Sequence, residues 1–239
     1  MIANLFIVLF LIGMTYWWGS VQGLFSALLH LLVTLFAAAI AIGLWEPLTF
    51  ILMGRIPMYA WGVALICPFV LLLMGLGWTA DKLVPGNVRF PPIVSMIGGG
   101  LCGLAAGILT AGLTVVGLGF LPLGNDVGGY QPYAVGNNGK VEPRDQLWVP
   151  VDRLVIQWMN RLSQGSLSPI SNIGASLALY QPKLYEQAGM FRMRYDKNAS
   201  VVAMPKSIEV TGYYVTNTLG PETVEKIGPA IPQALAQAG

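Results

Sequence analysis

Charge is scarce through most of this chain. Residues 1–125 carry five charged side chains, Glu46, Arg55, Asp81, Lys82 and Arg89, whereas the remaining 114 residues carry nineteen. Histidine occurs once, as His30 within an apolar run, which excludes a water-facing Ser-His-Asp arrangement. The two cysteines, Cys67 and Cys102, also sit in apolar runs, where they read as small hydrophobes and not as a disulfide framework. No His/Cys/Asp/Glu group has the spacing of a metal site. The glycines around 98–103 lack the Lys and Ser/Thr that close a phosphate-binding loop. A net charge of +2 leaves no footprint for nucleic acid. The sequence therefore predicts no catalytic residue, cofactor or metal, and a protein that is not an enzyme.

Long uncharged runs stand in place of those features. A charged side chain at the bilayer centre costs about 2.5–3.5 kcal/mol, so spans of roughly twenty apolar residues mark membrane helices. Four such spans are predicted: Ile2 to about Trp18, Leu24 to about Trp45, Met58 to about Ala80 with Pro68 inside, and Ile93 to about Leu121. The first lacks a basic n-region and a small-residue cleavage pattern and reads as uncleaved. Glu46 to Pro57 and Asp81 to Pro92 are expected as loops, with Leu48–Met53 interfacial. An even number of spans puts both ends of the 1–123 region on one side. Lys82 and Arg89 outweigh Arg55, which favours a cytoplasmic 81–92 loop and an extracytoplasmic tail.

Beyond the spans, Gly, Asn and Pro over 124–145 suggest a linker. Val151, Leu154, Val155, Trp158, Met159 and Leu162 recur at helical spacing, predicting an amphipathic helix that closes at Gly165. Its apolar face lies on the membrane surface or, as is usual for a single such helix, packs on the rest of the tail. Pro182–Ala188 reads as a short helix ending at Gly189. Met190–Tyr195, Val201–Met204 and Ile208–Thr216 read as strands. The expected fold is an all-α membrane domain of four transmembrane helices (1–123) followed by a small α+β water-facing domain (146–218), with a flexible end over 219–239.

Two patterns stand out within the spans. Gly99, Gly103, Gly107 and Ala111 fall every fourth residue, and Gly19 and Gly23 repeat the spacing near the first turn; small residues so placed let another backbone approach closely. The spacing leaves open whether the partner helix belongs to this chain, a second copy or another membrane protein. His30 is an ionisable group at membrane depth, a possible polar site for a proton relay or a pathway. Ser26 and Thr34, one turn to either side, are available to satisfy a neutral imidazole.

The order of these features resembles the colicin V production (CvpA-like) membrane protein family. The likeness covers residues 1–123 and rests on the Gly19-Ser20-Val21-Gln22-Gly23-Leu24 turn and on Ile97-Gly98-Gly99-Gly100-Leu101-Cys102-Gly103-Leu104-Ala105-Ala106-Gly107. Relatives usually carry arginines where this chain has Ser20, Gln22 and Ala106, so any role of those arginines has no carrier here. The resemblance implies a bacterial inner-membrane protein of envelope homeostasis or secretion. The expected protein is thus a non-enzymatic envelope component or membrane-anchored structural subunit, in contact with the lipid bilayer and, through its glycine face, with a second copy or other membrane proteins. The alternative is a small transporter or channel component whose oligomerised helices line a pathway.

Overall fold

Uncharged runs fold as helices because in lipid each backbone N–H and C=O must find its partner within the chain. The computed structural model describes residues 2–84, 88, 90–124, 126–135, 141–164, 177 and 183–193, all within one compact unit. Its four long helices are α1 (Ile2–Tyr16), α2 (Leu24–Met53), α3 (Ala60–Leu83) and α4 (Pro92–Gly119). With the π-helical segment Trp17–Gln22 continuing α1, all four are long and apolar enough to cross a membrane, as in a multi-pass membrane protein.

Three helix ends differ from the sequence expectation. The first span does not stop at Trp18 but winds on to Gln22; the turn is Gly23 alone, at φ 84°, with its N–H donating to the Trp18 carbonyl at 2.9 Å. The second span runs through Glu46 and Pro47, so Leu48–Met53 is helical and not a loop. Proline removes one donor, yet Trp45, two residues before it, is almost fully buried, and the Thr49 hydroxyl donates to the Trp45 carbonyl at 2.7 Å. The third span carries Asp81 and Lys82 in its last turn, with Lys82 Nζ lying 4.0 Å above the Trp78 ring.

Helix α4 is the axis of the bundle. Its first turns expose Ile93, Ile97 and Leu101, whereas Leu109, Leu113 and Val116 are buried. Lipid tails are as apolar as leucine, so the bundle is held by dispersion contacts and internal hydrogen bonds, not by expulsion of water. An aromatic cluster ties one end together: Trp45 lies 5.1 Å from Trp61 and 5.2 Å from Phe120, and the Trp45 indole N–H donates to the Trp61 carbonyl at 2.9 Å.

The remaining described elements sit at that same end. The region expected as a linker holds an antiparallel pair, β1 (Tyr133–Val135) and β2 (Val141–Pro143), in register Ala134 opposite Glu142. Helix α5 (Val151–Gln164) buries Val151, Val155, Ile156 and Met159. Its apolar face packs on the membrane helix α4, where Gly112 leaves room for the Val151 carbonyl, and not only on other parts of the tail. Helix α6 (Leu184–Met193) continues through Gly189, so Met190–Met193 is helical where alternation suggested a strand. Gly189 faces the Tyr133 ring, and its missing side chain serves close packing instead of termination. The strands expected at 201–204 and 208–216, and the flexible 219–239 end, lie outside the described residues. Ala3 N–H donates to the Gly128 carbonyl, and Asn4 Oδ1 accepts from the Trp148 N–H, both at 3.2 Å, so the start of α1 and the post-α4 segment meet at one end.

Candidate functional site

At the opposite end, the first turns of α2, the π-helical segment and the last turns of α3 enclose a cleft of about 430 Å³. His30, Gln22, Ser26 and Asp81 supply its polar wall, and Trp18 and Phe25 part of its apolar wall. His30 lies seven residues into α2, about 10 Å along the helix at 1.5 Å per residue. Its imidazole stacks on the Trp18 indole, with centroids 4.5 Å apart and planes 21° from parallel. The π-helical winding sets this contact by carrying Trp18 around to face α2.

Two features of the cleft depart from the sequence expectation. Thr34 donates its hydroxyl to the His30 main-chain carbonyl at 2.8 Å, the back-bond common for threonine within helices. Asp81 belongs to helix α3 and lines the cleft with His30, whereas the sequence places it in the loop that follows the third span. A signal for this was present. Gly77, Ala80, Asp81 and Val84 follow the i, i+3, i+4, i+7 spacing of one helix face, visible once the helix is extended past Ala80. An imidazole, a carboxylate, an amide and a hydroxyl around one opening can bind a small polar solute or exchange protons with water.

The glycines form a separate seam. A Cβ on Gly99 would lie 2.6 Å from the Trp18 carbonyl oxygen, and one on Gly103 would lie 2.7 Å from Trp18 Cβ and 2.8 Å from the Met14 carbonyl oxygen. One on Gly107 would meet Leu11 at 3.2 Å and Met14 at 3.3 Å. From the other side, a Cβ on Gly19 would lie 2.9 Å from the Met96 carbonyl oxygen and 3.2 Å from Gly100 Cα. Gly23 is constrained twice, by its positive φ and by Ser95, whose hydroxyl oxygen accepts the Leu24 N–H at 3.2 Å. Ala111 packs farther along α4 with Leu11, Tyr130, Leu147 and Val151. This face of α4 is thus occupied by α1 and the π-helical segment of the same chain. Among the described residues no group of three or more His, Cys, Asp or Glu side chains is placed to hold a metal ion. Comparison with protein-family models, curated proteins and solved structures finds no match for this chain.

Proposed function

We propose that this chain is a non-enzymatic, membrane-anchored structural component of a bacterial inner membrane, CvpA-like over residues 1–123, with its tail on the extracytoplasmic side. The observation that carries this reading is the shared core of bundle and tail. Phe191 of α6 meets Phe120 of the Trp45–Trp61 cluster edge to face, with centroids 5.6 Å apart, and Gly112 and Gly119 of α4 bring α5 and α6 against the helix backbone. The described part of the tail, packed in this way, shares one core with the bundle, as an anchoring subunit needs and a domain on a free tether lacks. Purification in mild detergent with mass spectrometry tests it. Stoichiometric membrane or envelope partners, lost on disrupting that core with Phe191→Ala, are the expected result. A partner-free particle unaffected by that change would overturn it.

The second reading, a small transporter or channel component, is favoured by the cleft in which His30 and Asp81 share one wall. Solute or proton flux through reconstituted vesicles that falls in both His30→Leu and Asp81→Asn would select it over the first.

A further inference from the structure

A second cavity lies where α4 meets the tail, and its chemistry is unlike that of the His30 cleft. It is lined by the last turns of α4 at Val116 and Gly119, by Tyr130 and Tyr133, and by Arg153 and Arg192. Its volume of about 30 Å³ exceeds the roughly 10–15 Å³ that a single water requires. Gly119 sets its depth: a Cβ there would lie 2.8 Å from Ala188 Cβ, so α6 comes close enough to bury Arg192 one turn farther on.

Arg192 is only 4% exposed. Its Nε donates to the Gly124 carbonyl at 3.2 Å, but the fully buried Nη2 has no partner among the described residues. The one ion pair among those residues is Lys183–Glu186, so neither Arg153 nor Arg192 meets a carboxylate there at salt-bridge distance. A buried guanidinium with an unmet donor is costly until an acceptor completes it, and an anion, unlike a water or a carbonyl, also offsets its charge. Burial holds the Tyr133 phenol up at about 12 and pushes Tyr130 higher still, so both hydroxyls keep their protons at neutral pH. Of the two carboxylates on the wall, Asp145 accepts the Gln131 N–H at 3.0 Å, and burial raises Asp152 toward its neutral form.

We propose that this cavity binds a phosphate-type oxyanion on Arg192, with Arg153 as the second cation. The position favours phosphate as the anion. Helix α4 has 28 residues, about 42 Å, more than a hydrocarbon core of about 30 Å needs. The cavity opens where its last turns meet the charged elements of the tail (Asp145, Asp152 and Arg153), the side of the helix nearest the lipid phosphates if the charged tail lies in water. The group is either a phospholipid phosphodiester or free phosphate, and the two share the same recognition by guanidinium and phenol donors.

The test is thermal unfolding of the full chain in detergent, after delipidation, titrated in separate arms with inorganic phosphate and with phosphatidylglycerol in mixed micelles. Stabilisation in both arms identifies the phosphate group itself as the ligand, and stabilisation by phosphatidylglycerol alone identifies the lipid headgroup; either supports the site. Binding should weaken about tenfold or more in Arg192→Gln and in Arg153→Gln, and stay unchanged in Arg161→Gln, an exposed position on α5. If Arg192→Gln fails to fold, the Arg153→Gln titration decides alone. No stabilisation in either arm, or equal stabilisation in wild type and Arg153→Gln, would overturn the proposal.

Discussion

Gly103 and Gly13 are both glycines in membrane helices, yet their surroundings differ. A side chain on Gly103 meets Trp18 and the Met14 carbonyl below 3 Å, whereas one on Gly13 meets nothing within 4 Å. Gly103→Leu is therefore expected to force α1 from α4 and destabilise the bundle by at least about 1–3 kcal/mol. Gly13→Ala should be neutral or stabilising by up to about 1 kcal/mol, since glycine is disfavoured within helices. Thermal unfolding of the two variants in detergent checks the contrast, and equal melting temperatures would count against the seam. Asp152 offers a second test. Burial raises its carboxyl above the ordinary 3.8, so the folded state binds this proton more tightly than the unfolded one. Its contribution to stability is then greatest in acid and is lost as pH rises from about 3.8 through the folded value. Asp152→Asn should flatten the decline in stability as pH rises above about 3.8. A variant curve parallel to wild type would show that Asp152 does not carry this dependence.

Helix α2 shows most clearly how much of an element can be read from sequence. Its start after Gly23 and its apolar body are legible from composition. Its last turns are not, because Glu46 and Pro47 carry the local signature of a loop. What keeps them helical is the burial of Trp45 and its hydrogen bond to Trp61 on α3, a partner sixteen residues away. Trp45→Phe removes that bond and part of the aromatic cluster, at an expected cost of about 1–3 kcal/mol. Far-ultraviolet circular dichroism should show no large loss of helix, while the unfolding midpoint drops. Helix α6 makes the converse point: Gly189 looks like a stop signal, but Leu184, Ala188 and Phe191 bury one continuous face across it.

Across the whole molecule, the two ends of the bundle are chemically distinct. One carries the tail, the aromatic cluster and the Arg192 cavity, and the other carries Gly23, Ser95 and the His30–Asp81 cleft. With Cys67 and Cys102 replaced by alanine, the exposed positions Gln187 and Val88 report on these ends separately. An extracytoplasmic tail predicts that Gln187→Cys reacts with a membrane-impermeant maleimide in intact spheroplasts and that Val88→Cys reacts only after lysis. The reverse pattern would place the tail in the cytoplasm.

The number of spans, their approximate places and the positions of the small residues were determined by the sequence itself. Excluding charge from lipid and lacking a side chain are properties each residue carries wherever the chain folds. Tertiary structure decided the rest. It set which backbone lies against Gly99 and Gly103, carried α2 past its proline, brought Asp81 into one cleft with His30, and buried Arg192 beneath the end of α4. Each of these depends on a surface contributed by residues distant along the chain, and local composition holds no record of that surface.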